Sequence, residues 1–136
     1  MTSQLASRDQ LFSTASMARR YVEVTLPVSG HSVRLQSLTE RERATFQSGF
    51  LDKRGEVRKD AMLNSNRRLI VLCVVDAVGN RILNQDDVGR MVDWDTADVQ
   101  FLASACGRHT GIAAGEMGDV NEAAEDLEKN SETTAG

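Results

Sequence analysis

Asp76, Asn80 and Asp87 fall at positions 1, 5 and 12 of a calcium-loop spacing, where oxygen ligands would gather around a hard cation. The pattern then fails on its own terms. Position 3 is Val78, position 6 is Arg81 where the loop needs glycine, and position 12 offers a short aspartate instead of a bidentate glutamate. His31 and His109 belong to different segments and have no Cys or carboxylate at ligand spacing, so both read as ordinary solvent-exposed histidines. Asp86-Asp87 and the Asp93/Asp95 pair could be acid/base couples, but carboxylates placed at the start of apolar stretches read as helix caps. Cys73 and Cys106 lie inside apolar segments without metal-ligand spacing, which predicts buried free thiols in a reducing compartment. No Ser/His/Asp grouping, P-loop or glycine-rich dinucleotide turn is present. The sequence predicts no catalytic residues, no cofactor and no metal, and so a protein that acts by binding.

The elements that would build a binding surface fit one modest domain. The chain has 136 residues, 40% of them hydrophobic, but only six are aromatic, so Leu, Val, Ile and Met must supply the core. Residues 1–115 carry 15 basic and 13 acidic side chains, while residues 116–136 carry one basic and seven acidic. The net charge of −4 is therefore a property of the tail. The densest basic group (Arg41, Arg43, Lys53, Arg54, Arg58, Lys59, Arg67, Arg68) is interleaved with Glu40, Glu42, Asp52, Glu56 and Asp60, which reads as a solvated helix face. Without a stripe of clustered cations, nucleic acid is not expected as a partner. The N-terminus lacks a basic start followed by an apolar stretch. The longest apolar run, Leu69 to Val75, is far below the roughly 20 residues that span a bilayer. A soluble intracellular protein, with no membrane partner, is expected.

The predicted architecture is α+β: an N-terminal β-hairpin packed on a small bundle of four to five helices, with flexible termini. Residues 1–20 form an arm in which a short amphipathic helix over Ser3 to Ala15 is marginal in isolation. From Tyr21 the period is two, with Val22, Val24 and Leu26 on one face, and Pro27-Val28-Ser29-Gly30 is a turn. His31 to Gln36 returns as the second strand, with Val33 and Leu35 on one face. Thr39-x-x-Glu42 is a capping box opening a helix to about Leu51, which should partly bury Ala44, Phe46, Phe50 and Leu51. Asp52 to Gly55 is a polar loop. A second helix is predicted from Val57 to Val75, although four β-branched residues in Leu69 to Val75 keep a buried strand as the competing reading. Asp76 to Asn80 is a turn, and Asn84 caps a short helix over Gln85 to Met91. Asp95 caps another from Thr96 to about Arg108, with Val99, Leu102, Ala103 and Cys106 inward, Phe101 beside them and Gly111 as its stop. The domain should close near residue 115. Gly115 to Gly118 is a linker, Asp119 to Lys129 an acidic amphipathic helix, and Ser131 to Gly136 a disordered end.

Two features suit a partner. Trp94, in the polar junction Asp93-Trp94-Asp95, is either an anchor for another protein or a hydrophobic lock between two helices. The stripe Val120, Ala123, Ala124 and Leu127 docks either on its own domain or on another protein.

The order of these motifs resembles the tail assembly chaperones of long-tailed phages (siphoviruses) and prophages. The strand pair leads to Leu38-Thr39-Glu40-Arg41-Glu42-Arg43. An Arg67-Arg68 approach to an apolar run ends in Asp76-Ala77-Val78-Gly79-Asn80-Arg81. Asn84-Gln85-Asp86-Asp87-Val88 follows, and the ending spans Asp119-Val120 through Leu127-Glu128-Lys129-Asn130. The likeness covers roughly residues 20–130. It implies a non-enzymatic protein of the bacterial host cytoplasm, absent from the mature virion, that binds the helical tape-measure protein and keeps it soluble during tail-tube assembly. The tail-tube protein and a longer frameshifted form of the same chain are further implied partners, and homo-oligomerisation is left open. Encoded as GAA AAA AAC, Glu128-Lys129-Asn130 would contain an A-AAA-AAC slippery heptamer. The alternative class is a structural tail or connector subunit retained in the virion.

Overall fold

The computed structural model describes residues 5–112, and its architecture is α+β. The predicted Val120, Ala123, Ala124 and Leu127 stripe, its linker and the acidic end lie outside the described residues. Near the N-terminus the predicted single helix is two four-residue pieces, α1 (Arg8–Leu11) and α2 (Thr14–Met17). Ser7 and Gln10 form a reciprocal capping box on α1, but no residue of α1 is buried, so no tertiary contact extends it into a longer helix.

The hairpin forms as its alternation dictates. β1 (Tyr21–Thr25) pairs antiparallel with β2 (Ser32–Gln36) in the register Tyr21↔Gln36 through Thr25↔Ser32, and Gly30 takes φ +76° in the turn. The residues just before β1 belong to this sheet. Ser37 N–H donates to the Arg20 carbonyl at 2.8 Å and Arg20 N–H to Ser37 Oγ at 2.8 Å. α3 (Glu40–Ser48) carries the predicted capping box, with Glu42 N–H on Thr39 Oγ1 at 3.2 Å and Thr39 N–H on Glu42 Oε1 at 2.9 Å. Phe46 and Phe50 are buried and meet edge to face at 5.1 Å. Ala44 and Leu51, expected partly inside, are exposed. Ala44 is two residues from Phe46 and so about 200° around the helix, and Leu51 lies beyond the helix end, bridged to Val57 around the polar loop.

The predicted helix from Val57 to Val75 is overturned in three ways. Its first two residues, Val57 and Arg58, are not helical, Asn64 divides the rest into α4 (Lys59–Leu63) and α5 (Ser65–Cys73), and the last two residues are strand β3 (Val74–Val75). β3 pairs antiparallel with β2 through Leu35↔Val74 and Arg34↔Val75, giving a three-stranded sheet in the order β1-β2-β3. Both readings of the apolar run were partly right. β-branched Val74 and Val75 leave the helix where the free edge of β2 offers ladder hydrogen bonds.

After the Asp76–Asn80 turn, Arg81 bridges back to Val75. α6 (Asp87–Arg90) then continues into a 3₁₀ turn (Met91–Asp93), so the predicted Gln85 to Met91 helix starts later and ends later. The N-cap of α6 is Asp86, without a side-chain cap bond, instead of the predicted Asn84; Asn84 holds the turn that leads in, Oδ1 accepting from Asp86 N–H at 2.9 Å, while Asp87 Oδ2 accepts Asn84 N–H at 2.8 Å. α7 (Thr96–Thr110) runs two residues past the predicted end and stops at Gly111, whose φ of +82° suits a left-handed cap.

The core lies where α5 and α7 pack together behind the sheet. Leu35, Leu69, Ile70, Met91 and Leu102 are its largest fully buried side chains, with Cys73 and Cys106 beside them. The two thiols are free, and the neighbouring Cys73 side chain together with burial pushes the Cys106 thiol well above its ordinary range. Phe101, expected beside the inward residues, stays at the surface.

The basic group is not one solvated face. Arg43 pairs with Glu40 and donates to Gln47 at 2.6 Å, on the surface. Arg67 reaches inward to the Val88 carbonyl at 2.9 Å, and Arg68 lies 5.2 Å from the ring centroids of both Phe46 and Phe50. Apolar rings that need covering draw these two arginines in by their stems. Among the described residues, no helix is long and apolar enough to cross a membrane.

Candidate functional site

The hairpin, β3, the Ile82-Leu83 stretch and the start of α7 enclose an open cleft of about 520 Å³. Its floor is Leu26, Val33, Val74, Val75 and Leu102, and its rim is Val28, Ile82 and Trp94. Rim and floor differ in exposure: Leu26, Val74 and Leu102 are buried, whereas Val28 is 58%, Ile82 59% and Trp94 39% exposed. Apolar surface left in this arrangement is the usual mark of a surface that another molecule covers.

Trp94 is set there by the backbone. Its N–H donates to the Met91 carbonyl at 3.1 Å, closing the 3₁₀ turn, and its own φ/ψ of −70°/153° is extended. Asp95 then caps α7, Oδ1 accepting from Ala97 N–H at 2.8 Å. Two non-helical residues, Trp94 and Asp95, between two helical turns thus set the indole in the cleft wall. Of the predicted site residues, Trp94 is the one within the described region.

Sequence reasoning missed Asp98. It is 5% exposed, and its carboxylate grips the hairpin turn, Oδ1 accepting from Val28 N–H at 2.8 Å and Oδ2 from Ser29 N–H at 3.1 Å. Burial pushes this carboxyl up, but the Val28 and Ser29 N–H groups, the Ser29 hydroxyl and His31 outweigh it, and the net shift is downward. The signal was available: Asp98, Leu102 and Cys106 share one stripe at i, i+4 and i+8, so an acid stood on the inward face. Asp98 fixes the distance between the hairpin tip and α7, and thereby the width of one end of the cleft.

Of the other polar groups lining the cleft, Arg34 is occupied by the fold, whereas His31 and Ser32 are exposed. Arg34 donates to the Ala77 carbonyl at 2.7 Å and stacks 4.2 Å from the Tyr21 ring centroid. Asp76 Oδ1 accepts from Val78 and Asn80 N–H, each at 2.9 Å, and these bonds, Asn80 first, hold its carboxyl below the ordinary value despite some desolvation. Among the described residues no group of three or more His, Cys, Asp or Glu could hold a metal ion. His31 is exposed, whereas His109 is partly buried and locked to Arg20, with Nε2 3.2 Å from the Arg20 carbonyl and Arg20 Nη2 donating to the His109 carbonyl at 2.7 Å.

Fold and cleft together define a small α+β protein with a largely apolar groove, in which Arg34, Asp95 and Asp98 are held by backbone groups of the fold. No protein-family model, no curated protein sequence and no solved structure matches the chain.

Proposed function

We propose that this protein is a tail assembly chaperone of the long-tailed phage type, which binds the tape-measure protein and keeps it soluble while tail-tube subunits polymerise around it. The ordered motifs between residues 20 and 130 support this reading from the sequence. The structural observation that carries it is the open apolar cleft with Trp94 at its rim. A long helical partner presents apolar side chains at i, i+3, i+4 and i+7, and a groove of aliphatic floor and aromatic wall is what such a stripe fits. A small polar ligand is a poorer match, because orienting one needs convergent free donors and acceptors. Here Asp95, Asp98 and Arg34 are committed to backbone groups of the protein itself.

The test is co-expression with the tape-measure protein encoded downstream, followed by affinity capture and a comparison of partner solubility with and without this chain. The reading expects capture and increased solubility, both lost in I82D, which places a carboxylate on the exposed rim. Recovery of the chain as a stoichiometric component of purified tails would replace the chaperone with a structural subunit. Failure of both this chain and its frameshifted form to hold the partner would end the assignment.

A further inference from the structure

Away from the cleft, the Arg68 guanidinium sits between two hollows. One, about 220 Å³, is walled by Arg41, Phe46, Leu72 and Arg81, and the other, about 390 Å³, by Arg58, Ala61 and Val88. Arg68 lies flat enough against Gly49 that a Cβ there would stand 2.1 Å from Nη2. Its contacts are two aromatic rings and one marginal bond, Nη2 to the Phe46 carbonyl at 3.5 Å. Nη1 is buried with no hydrogen-bond partner among the described residues. The neighbouring cations are served: Arg58 by Asp60 at 2.9 Å and Arg81 by Glu42 at 2.7 Å, with Glu42 also holding Arg19 at 2.7 Å. Arg68 takes part in none of these ion pairs. A buried, unpaired guanidinium nitrogen is costly and calls for an anionic acceptor.

The chain carries such an acceptor close by. Residues 116–132 hold Glu116, Asp119, Glu122, Glu125, Asp126, Glu128 and Glu132 against one lysine. The described chain ends at Ile112, just past His109, which is bonded to Arg20; the adjacent Arg19 is bonded to Glu42, whose side chain helps line the first hollow. Two arginine side chains and one peptide step span at most roughly 18 Å, and residues 113–119 reach roughly 24 Å when extended. We propose that the acidic segment 116–132 of this same chain docks across the Arg68 hollows, presenting carboxylates to Arg68 and Arg41 and the Val120, Ala123, Ala124 and Leu127 stripe to the half-buried Leu72. Charge selects this surface: the two hollows carry Arg41, Arg58, Arg68 and Arg81 against Glu42 and Asp60, whereas the Trp94 cleft carries Arg34 against Asp95 and Asp98. Tethering supplies an effective concentration on the order of millimolar, so even weak ion pairs are populated. The contact does not depend on what the cleft binds.

The test uses the full chain with R68K, which puts an amine at the site, and a zero-length carbodiimide that joins amines to carboxylates in contact. Peptide mapping should join position 68 to carboxylates of 116–132 within the monomer. The link should fade in about 1 M salt, where the screening length falls to about 3 Å. Lys53, on the polar loop, is the internal control for random contact. Links to the tail that are no richer at position 68 than at Lys53, or found only in cross-linked dimers, overturn the proposal. Should R68K not fold, a chain with the seven tail acids changed to Gln or Asn keeps the body intact. Amide exchange in Phe46–Phe50 and Arg58–Arg68 should then speed up severalfold, and unchanged exchange would reject the docking.

Discussion

Removing the Trp94 indole should weaken partner binding by an amount that its exposure sets. A large aromatic side chain buries up to about 250 Å² when fully covered. With 39% of Trp94 still open, roughly 100 Å² remains for a partner to cover. At about 25 cal/mol per Å² that area is worth about 2.5 kcal/mol. Alanine retains a little of it, so W94A should lose about 2 kcal/mol, or roughly 30-fold in Kd. Trp94 is the only tryptophan in the chain, so the wild-type titration reads itself: its emission should shift to the blue as tape-measure segments fill the cleft. W94A is then measured by anisotropy of a labelled segment. Because the buried part of Trp94 also packs on the domain, I82D is the companion variant, since Ile82 is 59% exposed and contributes little to the fold. Its charge in an apolar groove should cost binding at least as much. Affinities within about twofold of wild type for both variants, or emission unmoved at saturation, would show that the cleft is not the contact surface.

D98A should release the hairpin tip from α7: exchange at the Val28 and Ser29 amides rises sharply while that at Leu102 and Cys106 barely changes, and equal acceleration at all four would mean global destabilisation instead. T39A removes half of a capping box and should cost about 1 kcal/mol in urea unfolding. E42A should cost more, since Glu42 also holds Arg19 and Arg81; the reverse order would refute its role as a node. Asp76, Asp98 and Glu42 all have carboxyls held below their ordinary values in the folded chain. Such groups contribute stability that is fully present above the unfolded pKa and is lost as pH falls through the folded one. The urea midpoint should therefore be flat from pH 7 to about 5 and decline below about 4; a midpoint that rises on acidification contradicts this.

Features encoded within a few residues were legible in the sequence. Alternation from Tyr21, the Pro27–Gly30 turn, the Thr39/Glu42 box, Asp95 as a cap and Gly111 as a stop all depend on near neighbours, and each is found where expected. What escaped depends on partners far along the chain. Asp98 binds amides 69 and 70 residues away, and Arg68 is drawn in by Phe46, whose carbonyl is 22 residues away. Trp94 could be singled out as a residue, but its cleft could not, because the floor comes from segments that meet only in the fold.

The helix-to-strand switch at Val74 explains why that cleft exists. On its β2 side, β3 pairs with Arg34 and Leu35 and no further, because Asp76 immediately turns the chain away and locks the turn with its own carboxylate. Among the described residues Ser32 and Val33 thus have no third-strand partner on that side, and the cleft opens against them. Had the run continued as strand, it would have covered the outer half of β2; had it stayed helical to Val75, the sheet would lack the valines that floor the cleft. The two-residue strand closes the inner half of the sheet into the core and leaves the outer half, pinned at its tip by Asp98, apolar and open. The element that local pattern left undecided is the one that shapes the binding surface.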